Sequence, residues 1–149
     1  SPGSGSSGHG SGLRHIENVA YRVKSRADFA ARLSEIYAVL EAAIRKFAPD
    51  AVAVEKVFMA KNAQSALKLV ESRGVALLAA GQAKIPIFEY SSLEIKQALT
   101  GYGQATKEQI QKMVQRVLSL PEVASEDASD ALAVAICHLQ SYRMKEILA

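Results

Sequence analysis

The apolar positions along this chain fall into short continuous runs and longer stripes at helical spacing. The run from Ala51 to Val54 follows turn residues, ends on Glu55 and is too short for a helix, so it predicts a buried strand. A second run, Pro86 to Tyr90, begins with a proline at a position where no ladder donor is needed, and it predicts another strand. Partial alternation over residues 19–23 predicts a third strand near the amino end.

The longest apolar stripe runs from Phe29 to Phe47 at spacings of three and four, which predicts a helix that stops before Pro49. Ser25 and Asp28 resemble a capping box that starts it. Four further helices are predicted: from the N-cap Asn62 to Ala83, Ser91 to Leu99, Thr106 (capped with Gln109) to Leu118, and Ser125 to Leu148. The alternation of strands and helices predicts an α/β fold with right-handed crossovers.

Composition narrows the class of protein. A chain of 149 residues, 49% apolar and 22% charged, has the size and balance of a single soluble globular domain. It has no long uninterrupted apolar window and no basic-then-apolar leader, so we expect neither a membrane span nor secretion. A lone cysteine, Cys137, excludes an intramolecular disulfide and a cysteine zinc site, and fits the reducing cytoplasm. The net charge of +3 leans weakly toward a polyanionic partner.

Residues 1–12 contain only Ser, Pro, Gly and His. Such a segment cannot bury enough surface to offset its ordering entropy, so one interpretation is a flexible linker or a remnant of expression. Residues 13–149 then form the folded domain. A second interpretation of the same segment depends on a family resemblance described below.

Glu55 is the first candidate for chemistry, because it follows a buried strand directly. A carboxylate leaving water needs a cation or several donors to compensate it. The structural interpretation is that the strand end already reaches solvent. The functional one is a metal ligand at the carboxyl edge of an α/β sheet, where such folds place their sites.

Asp127 and Asp130 open the last helix. Acids in a first turn are ordinary partners of the helix dipole. They are also three residues apart and share a face, so three carboxylates would converge if that face turns toward Glu55. Oxygen ligands favour Mg²⁺, with Mn²⁺ as the alternative, and such clusters are typical of phosphoryl hydrolysis.

Four other side chains have both a structural and a functional interpretation. Lys96 and Lys107 flank the Gly101–Gly103 loop; they are either solvated surface lysines or phosphate-binding groups beside a metal. Phe58 is either core or an aromatic that stacks on an unpaired base. His138 lies two turns after Asp130 and is either an ordinary helix-face histidine or a ligand or proton carrier.

Six segments follow one another in an order and spacing typical of one protein family: Ala53–Asn62, Ser65–Leu69, Phe88–Tyr90, Lys96–Ala98, Gly101–Gly103 and Glu126–Ala133. Through them the chain resembles, over residues 13–140, the RuvC family of Holliday junction resolvases. The resemblance implies an RNase H-like α/β fold of a mixed sheet flanked by helices. It also implies a homodimer that makes paired, Mg²⁺-dependent incisions in four-way DNA junctions beside a branch-migration motor.

The resemblance also implies roles for single residues. Glu55, Asp127 and Asp130 match three of the family's four metal-binding acids, and Lys96 and Lys107 match its active-site lysines. Phe58 and Lys61 match positions that bind DNA, Phe58 by stacking on bases at the junction. The helix from Asn62 to Ala83 matches the one that supplies much of the dimer interface, although Val70-Glu71-Ser72 departs from the usual Gly-Gln-Ala.

The amino end departs from the family pattern. The family has an apolar strand leading into Asp-Pro-Gly-Ser and then Gly-aromatic-Gly before a second strand. Here Ser1–Ser4 and Gly8–Gly10 keep that spacing, but Ser1 stands at the position of the first metal-binding Asp and the strands are missing or shortened. Either the chain is engineered or truncated, with a linker that echoes the motif, or the motif has been inactivated.

A serine brings no negative charge and is a poor ligand for a hard divalent cation. The expectation is therefore a weak or inactive nuclease. The alternatives are a junction-binding or dimerising module without cleavage, and an engineered folding chain with no activity.

Overall fold

The computed structural model describes residues 12–24, 28–56 and 63–148, and only the backbone of residues 63–69. Its elements are α1 (Phe29–Phe47), β1 (Val52–Glu55), α2 (Ala63–Gln82), β2 (Ile87–Tyr90), α3 (Ser92–Thr100), α4 (Lys107–Leu118) and α5 (Glu126–Leu148). The five predicted helices and two of the three predicted strands are confirmed within a residue or two of their predicted ends. None of the helices in these ranges is long and apolar enough to cross a membrane.

The two strands form a parallel pair joined through α2. The register pairs Val52 with Ile87 and Glu55 with Tyr90. The ladder continues past β1, because the backbone N–H of Lys56 donates to the carbonyl of Tyr90 at 2.8 Å. Parallel pairing brings both carboxyl ends to one edge of the sheet, which places Glu55 where the sequence predicted.

The predicted strand over residues 19–23 is wrong. The segment has no ladder partner in the described residues, and Val19 is 72% exposed. It lies along α1 instead, where the Tyr21 hydroxyl and the Lys24 backbone N–H both donate to Glu35 Oε1 at 2.5 and 2.8 Å. Alternation of apolar residues is insufficient for a strand when no neighbouring strand accepts its hydrogen bonds.

Helix α1 begins and ends as its local sequence dictates. Asp28 is the N-cap, and its carboxylate accepts from the backbone N–H of Ala31 at 2.8 Å. The helix ends at Ala48, whose left-handed backbone (φ 45°) lets its N–H reach the carbonyl of Ile44 before Pro49. The predicted capping box, with Ser25 as the N-cap and Asp28 in the first turn, is wrong, because Asp28 is itself the N-cap. The predicted cap Asn62 lies outside the described residues.

The core lies between α3, α4 and α5, on one face of the strand pair. Its buried members are Ile95, Leu99, Ala105, Ile110, Val114, Ala133, Val134, Ile136 and Cys137. Helix α1 packs on α2 and has no fully buried residue. Because α5 contacts both the core helices and β1, the core fixes its position relative to the end of the sheet.

Capping boxes start both helices that flank the loop after α3. Ser91 caps α3 and exchanges hydrogen bonds with Glu94, and Thr106 caps α4 and exchanges them with Gln109. The second box was predicted from the sequence. These hydrogen bonds satisfy amide donors that a helix start otherwise leaves free, so they fix where each helix begins.

Replacing Ser91 by alanine is expected to lower the free energy of unfolding by about 1 kcal/mol, because the Glu94 N–H loses its acceptor at 3.0 Å. Urea denaturation measures the change. The variant Ser91→Asp keeps a capping oxygen and should retain most of the stability. An equal loss in both variants would show that capping is not the cause.

Candidate active site

Glu55 and Asp130 lie together at the carboxyl end of β1. Glu55 is the last residue of the strand, and Asp130 lies one turn inside α5, which packs against it. Partial removal from water raises the pKa of Glu55, and the negative charge of Asp130 raises it further, while Lys96 opposes the rise. Both carboxylates are exposed to solvent, as the structural interpretation of Glu55 expected, and a bound cation would relieve the repulsion between them.

Two cavities open on either side of these carboxylates, and Glu55 and Asp130 line both. The first, which we call the lysine cavity, has a volume of about 190 Å³. Its walls are formed by Glu55, Ser92, Ile95, Lys96, Ala105, Lys107, Ile110, Asp130 and Ala133. The structure therefore brings together four of the five residues predicted to be catalytic.

Lys107 occupies the first position of α4, where the helix dipole disfavours a cation. Its ammonium group lies 2.5 Å from Glu126 Oε1, at the start of α5. The hydrogen bond and charge of Glu126 raise the pKa of Lys107, so it stays protonated. Sequence reasoning treated Glu126 only as a partner of the helix dipole; nothing in the linear pattern showed its pairing with Lys107, 19 residues away.

Asp130 is held at a raised pKa chiefly by loss of solvation, with Glu126 as the next cause and Asp127 as a minor one. Lys107 opposes these effects. Asp127 is exposed and lines neither cavity. Across the described ranges, no group of three or more His, Cys, Asp or Glu side chains is arranged to hold a metal ion. The role of Asp127 as a ligand therefore stays a prediction.

A divalent cation still fits the two carboxylates that share the cavities. Mg²⁺ is commonly held by one or two carboxylates together with water and substrate phosphates, so it does not require a complete protein cage. The oxygen-only donors of Glu55 and Asp130 suit such a hard cation better than zinc. Lys96 and Lys107, which line the same cavity, supply the positive charge that a phosphate group needs.

The second cavity, which we call the arginine cavity, has a volume of about 510 Å³. Its walls are formed by Ala53, Val54, Glu55, Lys56, Ser72, Arg73, Ala76, Asp130, Ala131 and Val134. Sequence reasoning missed the cations Lys56 and Arg73. The sequence feature that could have indicated Lys56 is its position directly after Glu55.

His138 belongs to the hydrophobic interior rather than to the carboxylate site. It is 8% exposed, its Nδ1 lies 2.6 Å from the Tyr90 hydroxyl, and its ring lies 4.3 Å from that of Phe88. Burial, followed by the charge of Lys145, lowers its pKa. The structural interpretation of this histidine fits these contacts. Phe58, Lys61 and Ser1 lie outside the described residues.

Comparison with known proteins shows which family the chain belongs to. The family model for crossover junction endodeoxyribonuclease RuvC matches residues 2–138. The chain belongs to the RuvC family. RuvC proteins are metal-dependent endonucleases that resolve Holliday junctions in DNA recombination and repair.

Individual RuvC proteins match most of the chain. The RuvC of Geobacter sulfurreducens is 52% identical over 139 residues, which cover 93% of this chain and 85% of that protein. The RuvC of Geobacter metallireducens is 51% identical over the same shares of the two chains.

Two solved RuvC structures share the fold. A Thermus thermophilus RuvC structure superposes with a TM-score of 0.80 at 32% identity, covering 89% of this chain and 80% of that one. A T. thermophilus RuvC in complex with Holliday junction substrate superposes with a TM-score of 0.78 at 30% identity, covering 88% and 81%. The RuvC, RNase H-like fold predicted from the sequence is confirmed.

Proposed function

We propose that this chain is a structure-selective endonuclease that binds four-way DNA junctions and hydrolyses a phosphodiester bond with Mg²⁺, or alternatively Mn²⁺. The observation that carries the proposal is the shared position of Glu55 and Asp130 beside Lys96 and Lys107 in a RuvC fold. The T. thermophilus RuvC bound to junction substrate supports four-way DNA as the ligand. A cytoplasmic location, where chromosomal DNA is found in bacteria, accompanies this activity.

Each group in the lysine cavity has a role in this reaction. Glu55 and Asp130 would hold the metal, with Asp127 as a third ligand. A bound divalent cation would activate water and stabilise the charge that develops on the scissile phosphate. Lys96 and Lys107 would bind phosphate oxygens, and the contact with Glu126 raises the pKa of Lys107 further above neutral pH. Junction binding would then bring Lys107 a phosphate that competes with that carboxylate.

Other parts of the chain would serve DNA binding and assembly. Phe58 would stack on bases opened at the junction, and Lys61 would contact its backbone. Homodimer formation would use α2, which leaves Val70 and Leu78 each 53% exposed. Residues 13–149 would form the resolvase domain, working beside a branch-migration motor. For residues 1–12 the family match from residue 2 supports a remnant of the first active-site loop over an unrelated linker.

The test is incubation of the purified chain with a labelled synthetic four-way junction, once with Mg²⁺ and once with Ca²⁺. Product with Mg²⁺, and none on a linear duplex of the same sequence, would establish the endonuclease. The second candidate function, junction binding without cleavage, is favoured by Ser1 at the position of the first metal-binding Asp. A shifted band in both metals with no product would support it. Absence of both would contradict the proposal.

With Ser1 in place, cleavage should be much slower than that of the Geobacter sulfurreducens RuvC. The variant Ser1→Asp is expected to raise the rate about tenfold or more, because a metal ligand contributes several kcal/mol of charge stabilisation. The variant Ser6→Asp adds the same charge to the same segment and serves as the control. Cleavage by the unchanged chain at the rate of that relative would contradict the prediction.

A further inference from the structure

Cations flank the two central carboxylates on both sides. Glu55 and Asp130 line the lysine cavity and the arginine cavity alike, so they stand between the two. Lys96 and Lys107 line the first cavity, and Lys56 and Arg73 line the second. Of these four cations, the roles assigned above use only Lys96 and Lys107.

Arg73 has hydrogen-bonding capacity that its protein contacts do not use. Its Nη2 lies 2.7 Å from Glu89 Oε1 on β2. Its Nε is buried and has no hydrogen-bond partner within the described part of the chain. A guanidinium carries five N–H groups in a planar fork that suits phosphate oxygens. The Arg73 side chain is 24% exposed and lines the arginine cavity, so part of this fork is open to a ligand there.

We propose that Arg73, assisted by Lys56, binds the backbone phosphate that neighbours the scissile one, on the side of the carboxylates opposite Lys96 and Lys107. This inference rests on the proposed function. A DNA strand carries a phosphate at every nucleotide, so a strand placed over Glu55 and Asp130 brings phosphates to both sides. Without the cations of the arginine cavity, the two carboxylates would repel the phosphate on that side.

Contacts to the phosphates on either side would hold the strand in register. Backbone contacts carry no sequence information, but they fix where a nucleic acid lies on a protein. The lysine cavity alone would hold the strand from one side and leave its direction across the metal ligands undefined. Arg73 is therefore assigned as a substrate-binding residue that positions the strand for cleavage.

A purely structural role for Arg73 makes a different prediction. If Arg73 served only to pair with Glu89, then Glu89→Gln would produce the same defects as Arg73→Gln. If Arg73 binds a phosphate, Glu89→Gln removes a competing carboxylate and leaves junction affinity unchanged or higher. Arg73→Gln and Glu89→Gln therefore both weaken junction binding if the role of Arg73 is structural, whereas only Arg73→Gln weakens it if Arg73 binds a phosphate.

The experiment measures binding of the full chain to a labelled four-way junction in Ca²⁺ at several salt concentrations. Arg73→Gln is expected to weaken binding about fivefold to tenfold and to lower the slope of log affinity against log salt by about one, as loss of one phosphate contact does. Arg73→Lys keeps the charge without the fork and should fall between. The control Arg45→Gln also loses one ion pair, with Glu41, on α1 and should match the unchanged chain.

Several results would overturn the inference. These are wild-type affinity and salt slope in Arg73→Gln, or an equal loss in Glu89→Gln. If Arg73→Gln does not fold, Arg73→Lys tests the proposal in its place. Unchanged junction affinity and an unchanged salt slope in Arg73→Lys would then contradict it. A parallel titration with linear duplex distinguishes failure of the proposed function from failure of the Arg73 assignment. Equal binding of duplex and junction contradicts junction selectivity, but the effect of Arg73→Gln on binding can still be measured. Absence of binding to either DNA contradicts both.

Discussion

Replacement of Asp130 by asparagine is expected to reduce junction cleavage about 100-fold or more, since a metal ligand is lost where the metal supplies several kcal/mol of transition-state stabilisation. Binding should stay nearly unchanged, because the substitution removes no phosphate contact. The rate is best measured in the Ser1→Asp background, where cleavage is expected to be fastest. A labelled junction gives both the rate, in Mg²⁺, and the affinity, in Ca²⁺.

The matched control is Glu122→Gln, which removes an exposed carboxylate from the loop before α5 and lines neither the lysine nor the arginine cavity. It should cleave at the rate of its parent. If Asp130→Asn lost binding as severely as cleavage, Asp130 would be serving the fold or the DNA rather than the metal. If both variants cleaved normally, the assignment of the metal site would be wrong.

Asp130→Asn is also expected to change the pH dependence of stability. Loss of solvation raises the pKa of Asp130 in the folded state, so the folded chain binds a proton more tightly than the unfolded chain. The free energy of unfolding therefore falls as pH rises from the ordinary carboxyl pKa to the raised one, and the loss is complete above it. In buffer with a chelator, Asp130→Asn should melt at a higher temperature than its parent at pH 7.5, and this advantage should shrink as pH falls below the ordinary carboxyl pKa.

Replacement of Ile136 by alanine is expected to lower the free energy of unfolding by about 2–5 kcal/mol. Ile136 is 1% exposed in the core between α3, α4 and α5, so truncation leaves a cavity that its neighbours fill only in part. The effect reaches the active site, because Ile136 and Asp130 lie on the same helix. Urea denaturation gives the stability, and the temperature at which cleavage stops shows the consequence for activity.

Ile147→Ala makes the same chemical change on the same helix at a residue that is 71% exposed. It should cost no more than about 0.5 kcal/mol, as surface substitutions usually do. Similar losses from the two variants would contradict the placement of the core. A large loss from Ile147→Ala alone would instead indicate that the end of α5 is covered, for example by a second copy of the chain.

The local elements of this protein were predictable because short-range effects determine them. The apolar stripe of α1 and the capping box of Thr106 and Gln109 are encoded within a few residues. The strand over residues 19–23 was wrongly predicted for the complementary reason. A strand requires a partner elsewhere in the chain, whereas here Tyr21 and Lys24 find Glu35 on α1.

The active-site residues were predictable one at a time, but their arrangement was not. Glu55 at a strand end and Asp130 near a helix start are visible in the sequence, and the family resemblance pointed to Lys96 and Lys107. Their meeting around one cavity depends on the packing of α5 against β1 and of α4 against α5. The partial separation of Asp127 from that group follows from the same packing.

The sequence by itself determined the helices, the two paired strands, the family and the identity of the candidate acids and lysines, since each is carried by neighbouring residues or by a motif of fixed spacing. Only the tertiary structure decided that Glu126 pairs with Lys107 and that Arg73 pairs with Glu89 beside the arginine cavity. Both contacts join residues that are remote in sequence. Their distances are set by how helices pack on the sheet, which no local pattern specifies.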